Sequence, residues 1–416
     1  MNANISTHPP IPGRWWILLF TSLVLFGNYY VYDSIGPVAD LLESQLGFSD
    51  SQIGSLNGIY SLPNIIMVLI GGLLVDKFGP ARVTLYTSFL CLIGAALTAI
   101  QPYWVMAAGR LIFGLGAETM IVAVTASLGQ WFKGSNIALA MGLNLSMARL
   151  GSWAADVSPT FARSLYDQGW QAPLILAAIF ASTMVVFAWA YLICDRKKPA
   201  EMAAVESEKM NWSDVLSFDR SYWYLLVLCV LFYSAILPFR STFAIKYFQH
   251  AHDLSREAAG QMNSWVFFAA IFASPLFGLI ADKLGYRTVL LSLGAFFLPL
   301  SFLILGTTDW HLGWTTVLIG ISYSLVPAVL WPGVCYLVEE KRLGTAYGLM
   351  TMLQNVGLTI ANFAAGGLND WGKASADNPA GYIPMLWFFG LLSSCAFIFV
   401  VLLHMREKGP NGHGLA

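Results

Sequence analysis

Six ionisable side chains lie inside long apolar runs: Asp33, Arg110, Glu118, Arg149, Asp156 and Arg240. Charges in such surroundings are costly, and those that persist are functional candidates. Glu118 and Arg149 stand near the middle of consecutive runs that pass in opposite directions. Opposite charges are therefore presented at one depth. Two chemistries fit. A structural ion pair would pin two helices together, although desolvation offsets much of the attraction in such pairs. A zwitterion clamp would set a carboxylate against an ammonium, and a planar guanidinium fork against a carboxylate. Neighbouring helices pack about 8–10 Å apart, and one peptide residue adds at most about 3.6 Å. A short peptide fits between such side chains by its two ends. The residue types alone leave pair and clamp equally open.

The elements that carry these charges must be membrane helices. The chain is 57% hydrophobic and 11% charged, against about 45–50% and about 25% for soluble domains. Its mean hydropathy is +0.64. These values exclude ordinary soluble enzymes, and no enzyme activity is expected. The net charge of −1 leaves no footprint for nucleic acid. A bilayer-crossing helix needs about 20 mostly apolar residues. Twelve such runs are expected, over 14–38, 52–74, 81–100, 103–130, 135–162, 170–194, 221–246, 256–280, 287–306, 313–337, 344–368 and 381–404. The polar stretch 195–220 divides them into six and six, giving lobes 1–194 and 221–416. Fifteen Lys and Arg fall on the side of the termini and even-numbered loops, and four on the other. That bias places both termini in the cytoplasm. The five cysteines form no CxxC, and the six histidines avoid the middles of the apolar runs. No metal, disulfide framework or cofactor is expected.

The two halves repeat. Gly72-Leu-Leu-Val-Asp76-Lys77-Phe-Gly79 aligns with Gly278-Leu-Ile-Ala-Asp282-Lys283-Leu-Gly285 at a shift of 206, with Arg82 and Arg287 following. The same shift lays Gly142, Leu143 and Gly151 on Gly348, Leu349 and Gly357. Parallel six-helix repeats joined by a linker are the layout of a two-lobed transporter with its site between the lobes.

The repeated loop resembles the signature of the major facilitator superfamily, as does Arg110-Leu-Ile-Phe-Gly-Leu-Gly in the fourth run. The implied fold is all-α, with twelve transmembrane helices in two lobes. A narrower resemblance is to the lysosomal dipeptide uniporter branch. It rests on Tyr29-Tyr-Val-Tyr-Asp33, Gly116-Ala-Glu118, Trp131-Phe-Lys-Gly134, Leu145-Ser-Met-Ala-Arg149-Leu-Gly151, Leu330-Trp-Pro332, Leu343-Gly-Thr-Ala-Tyr-Gly348 and Gln354-Asn-Val-Gly-Leu358. In that branch an acid on helix four and an arginine on helix five engage the peptide termini. The resemblance implies those roles for Glu118 and Arg149.

The repeat carries Arg149 onto Asn355 and Glu118 onto Ser324. The first lobe is expected to read charged termini, and the second to supply neutral hydrogen bonds from Asn355 and Gln354. Tyr29, Tyr60, Trp265 and Trp331 are candidate walls for variable side chains, although each also suits packing between helices. Asp33 and Arg110 fall at similar depth on runs that adjoin in the superfamily, and an intra-lobe pair is expected. Arg240 lies too near the outer end of its run for a ligand. The signature loops read as gating parts. Asp76 should cap the start of the eleventh helix, held by Lys77 and Arg82, only when the cytoplasmic side is closed. Asp282, Lys283 and Arg287 should play the matching part beside the fifth helix.

The function expected is secondary transport of dipeptides by alternating access. The chain has no GxxxxGK[ST] loop for ATP drive. Alternatives are a proton-coupled carrier of amino acids or small organic anions using Arg149, and a non-transporting receptor or sensor, against which the short linker counts. The ExxER motif of proton-coupled oligopeptide carriers is missing from the first run. The expected partners are a dipeptide and membrane lipid, with a monomeric chain. The eukaryotic branch works with a glycosylated accessory protein, for which no docking surface is legible. Short loops and no sequon-rich lumenal segment point to a bacterial inner membrane.

Overall fold

The computed structural model describes residues 13–132, 136–196, 215, 217–308, 312–410 and 412–415. Lys133 and most of the 195–220 linker lie outside the described residues, as does the side chain of Asp282.

Twelve helices of 19 residues or more make up most of the described residues. They are α1 (Arg14–Asp33), α2 (Asp50–Phe78), α3 (Pro80–Thr98), α4 (Tyr103–Trp131), α5 (Ile137–Asp156), α6 (Gln171–Asp195), α7 (Arg220–Pro238), α8 (Arg256–Leu284), α9 (Arg287–Thr307), α10 (Leu312–Leu337), α11 (Leu343–Gly372) and α12 (Ile383–Glu407). Ten of these helices, α1 and α7 with their extensions, are long and apolar enough to cross a bilayer. The other two, α5 and α11, are diluted by polar residues and pack among the rest. Helix α5 lies on α1 and α8, and α11 on α2 and α7.

Local chemistry sets the ends. Ser49 and Gln52 form a reciprocal capping box at the start of α2. Asp219 caps α7 by accepting from Ser221 N–H, and binds Arg406 at 2.6 Å. Burial works to raise its pKa, but the hydrogen bonds from Arg406 and Ser221 prevail and bring it to about 2. The signature loops turn at Gly79 and Gly285, with φ of 80° and 78°. Both need the positive-φ freedom of glycine, although ψ differs, 151° at Gly79 and −24° at Gly285.

Three runs differ from expectation. Helix α1 stops at Asp33 and restarts after Pro37 as a short helix, Ala39–Leu46. Helix α5 stops at Asp156, and a separate short helix, Ser158–Phe161, starts after Val157 with Pro159 in its first turn. Beyond Pro238, α7 passes through a π-helical turn, Phe239–Phe243, and continues as Ala244–His252. Such turns are rare and frequently mark functional sites.

The largest apolar core draws only on residues between Phe218 and Leu415. Two others draw on residues between Ile17 and Tyr191, and between Ile35 and Leu174. The hydrogen bonds and ion pairs that join α1–α6 to α7–α12 among the described residues involve only residues 33–58 and 156–163 on one side, and 240–263 and 359–370 on the other. All of these belong to one end of the bundle, termed here the closed end. Gly54 allows the contact, since a Cβ there would collide with the Asn362 carbonyl.

Candidate substrate site

A cavity of about 330 Å³ lies between the two sets of helices. All five residues expected to bind substrate line it: Tyr29 on α1, Glu118 on α4, Arg149 on α5, Trp331 on α10 and Asn355 on α11. Tyr60 and Gln354 line it as well. Trp265 does not. It is 52% exposed on the outer face of α8, while Phe267, two positions along, faces inward. Two residues turn a helix by about 200°, so the two side chains point to opposite faces. Ser324, the repeat equivalent of Glu118, also stays out of the cavity and donates to the Gly320 carbonyl at 2.7 Å.

Glu118 and Arg149 share the cavity without forming an ion pair; no contact within 4.0 Å joins them. Arg149 is 7% exposed, and its Nε and Nη1 have no hydrogen-bond partner. Its guanidinium carbon lies 4.7 Å from the centre of the Tyr323 ring. A buried guanidinium with unmade bonds is expensive unless water or a ligand completes them. Asn355 donates to the Thr351 carbonyl of its own helix at 3.0 Å. Trp331 donates to the Tyr233 hydroxyl at 3.0 Å, and the Trp331 carbonyl accepts from Tyr347 at 2.9 Å. Asn28 and Ser152 also line the cavity, each with a side-chain oxygen left unbonded. Ser152 is signalled in the sequence by its place three residues after Arg149, on the same helix face.

The expected Asp33–Arg110 pair is not formed. Arg110 instead donates to the carbonyls of Leu56, Val31 and Tyr32 at 3.2–3.3 Å, and also binds Asn57 Oδ1. Asp33 binds Arg240 at 2.7 Å, and Arg240 binds Asp156 at 2.8 Å. Asn263 donates to the same Asp156 at 3.0 Å. The π-helical turn aims Arg240 across the boundary between the halves, so a residue set aside for its depth sits at the centre of the closure. Pro238 beside a charge in an apolar run is the sequence signal that could have found it. Nearer the end, Lys246 meets Asp50 at 2.5 Å and Glu43 at 2.9 Å, and Arg256 meets Asp40 at 2.5 Å. Asp370 accepts from the Asp50 and Ser51 N–H groups at 2.8 and 3.0 Å.

The signature loops occupy the opposite end. Asp76, Lys77, Arg82 and Lys283 are exposed there. The Arg287 guanidinium carbon lies 4.7 Å from the Tyr336 ring centre. None of these residues reaches the cavity.

The family model of the Major Facilitator Superfamily matches residues 21–248 and 239–415. The chain belongs to that superfamily. It is 31% identical to the lysosomal dipeptide transporter MFSD1 of Danio rerio over 96% of its own length and 88% of that protein. The human protein of the same name is 29% identical over the same shares. A bacterial homologue of the human lysosomal transporter Spinster, in an inward-facing and unoccupied conformation, superposes with a TM-score of 0.76 at 15% identity. That match covers 95% of this chain and 97% of the other. This major facilitator chain is therefore an integral multi-pass membrane transporter of small molecules rather than an enzyme.

Proposed function

We propose that the protein is a secondary transporter of dipeptides, in which Glu118 takes the peptide ammonium and Arg149 takes its carboxylate. The observation that carries this reading is Arg149 itself. It is buried, lacks a carboxylate partner, and presents unbonded Nε and Nη1 in a cavity shared with Glu118. An opposite charge in one cavity without an ion pair is what a zwitterion with separated ends requires. The similarity to dipeptide transporters supports the substrate class. Asn355, Tyr29 and Trp331 complete the walls from both halves.

The remaining architecture follows the charge bias. Twelve spans with both termini in the cytoplasm put the closed end outside. The cavity then faces the cytoplasm. The short loops suit a bacterial cytoplasmic membrane.

The test is a thermal-shift comparison of L-alanyl-L-alanine with its N-acetyl and C-amide forms, beside alanine and succinate. A ligand that binds only the folded form raises stability by RT ln(1 + [L]/Kd). Each charge-assisted hydrogen bond contributes about 1.5–3 kcal/mol, so either cap should weaken binding at least roughly tenfold. Equal responses to capped and free dipeptides, or a response to succinate alone, would overturn the proposal.

A further inference from the structure

Two contacts cross between the halves at different depths. One is Arg149 of α5 over the Tyr323 ring of α10, at 4.7 Å. The other joins Arg240, in the turn after α7, to Asp33 and Asp156 at 2.7 and 2.8 Å. Their partners on the α7–α12 side are packed against each other. The Arg240 guanidinium carbon lies 3.9 Å from the centre of the Phe267 ring. Phe267 meets Tyr323 edge to face, with centres 5.6 Å apart and planes at 79°. An unbroken line of side chains therefore runs Arg149–Tyr323–Phe267–Arg240, and all four border the cavity.

We infer that Tyr323 and Phe267 are positioning residues: Tyr323 orients the Arg149 fork for the substrate carboxylate, and Phe267 ties that grip to the Arg240 closure. The inference rests on the dipeptide reading above. A guanidinium uses its faces for stacking and its edges for hydrogen bonds. The Arg149 guanidinium carbon stands over the Tyr323 ring, while Nε and Nη1 stay unbonded. A carboxylate arriving at those donors meets a fork whose direction the ring has set.

The second half of the line follows from charge and packing. A bound carboxylate neutralises Arg149 and weakens its attraction to Tyr323. Tyr323 is packed on Phe267, and close-packed side chains pass displacement on. Phe267 seats Arg240, so the closure loosens when the carboxylate is bound. A peptide lacking that carboxylate leaves the line undisturbed.

The experiment uses the full chain with Cys335, the exposed cysteine, replaced by serine. Val38→Cys is the reporter, because Val38 is fully buried at the closed end. Two readouts are taken: Kd for L-alanyl-L-alanine and its C-amide, and the labelling rate by a membrane-impermeant maleimide. Tyr323→Leu should weaken the free dipeptide by about two- to thirty-fold, the range of a cation–π contact, and leave the amide unchanged. Tyr323→Phe should retain the original affinity. Phe267→Leu should raise the ligand-free labelling rate and abolish its increase on adding dipeptide. Retained discrimination in Tyr323→Leu, or ligand-free labelling unchanged in Phe267→Leu, would overturn the inference. Failure of the unaltered protein to distinguish dipeptide from amide would instead sink the dipeptide reading and the Tyr323 role. The Phe267 role is still decided by ligand-free labelling.

Discussion

A guanidinium deep in a membrane protein needs partners for its edges or water to stand in for them. Arg149 has neither carboxylate nor carbonyl on Nε or Nη1, whereas Arg110, also buried, spends its donors on three carbonyls and an amide. The two arginines are alike in sequence setting and opposite in chemistry: Arg110 is a brace and Arg149 is poised. This contrast sets the first prediction. If Glu118 and Arg149 braced the fold, each alanine variant would lose roughly 3–5 kcal/mol, and the double variant would recover much of it. For a clamp around a hydrated cavity, both single variants should melt near the unaltered protein without ligand. Both should lose the dipeptide-induced rise, which is about 2.7 kcal/mol at a hundredfold excess over Kd. Arg149→Lys should not restore it, since an ammonium has no bidentate edge. Melting curves with and without dipeptide decide, and destabilised single variants rescued by the double variant would hand the pair to structure. Residue type and depth pointed to Glu118 and Arg149 in the sequence, and the repeat pointed to Asn355; all three line the cavity. Those signals did not reveal Tyr323 or Phe267, because an aromatic in an apolar run reads the same whether it faces cavity, neighbour or lipid. Depth alone also mispaired Asp33 with Arg110, since equal depth does not fix which way a helix face turns.

Helices α2 and α11 run antiparallel, so each end of their contact holds one N-terminus. At the closed end, Asp370 near the finish of α11 accepts from the first N–H groups of α2. At the other end, Asp76 near the finish of α2 has the start of α11 as its natural counterpart. A carboxylate at a helix N-terminus contributes about 0.3–1 kcal/mol, so each latch biases the equilibrium by only about two- to fivefold. Asp370→Asn should raise labelling of Val38→Cys from outside by that factor, and Asp76→Asn should lower it. Changes in the same direction in both variants would rule out opposed latches. The repeated glycine-bounded loops were legible because a positive φ restricts residue type at Gly79 and Gly285. The closed-end latch was not legible: Asp370 lies outside the repeat, and its partners are backbone groups that every residue carries.

Across the whole molecule the buried part of the closure is polarised, and the one pair of opposite sense among the described residues, Arg163–Glu257 at 3.4 Å, is at its exposed rim. The α7–α12 side supplies the cations Arg240, Lys246 and Arg256, and the α1–α6 side supplies the carboxylates Asp33, Asp156, Asp50, Glu43 and Asp40. Separating the halves thus separates charge, and each buried partner must then find water. Arg240 is the decisive member, because it alone serves two carboxylates that are both about 1% exposed. With Arg240→Met, closing would confine Asp33 and Asp156 together with only Asn263 donating to them. Opening would let both hydrate. One-sided loss of a buried pair costs roughly 3–5 kcal/mol, and that cost falls on the closed state alone. The population should therefore shift outward by about a hundredfold or more, with fast labelling of Val38→Cys and little transport. Adding Asp33→Asn and Asp156→Asn removes the stranded charges, and neutral replacements of buried ion networks are commonly tolerated. That triple variant should close again, with labelling back near the original rate. Arg240→Lys should fall between, since one ammonium cannot span both carboxylates as the fork does. Slow labelling in Arg240→Met, with melting unchanged, would mean that apolar contact around Gly54 and Asn362 closes the outer end without help from charge.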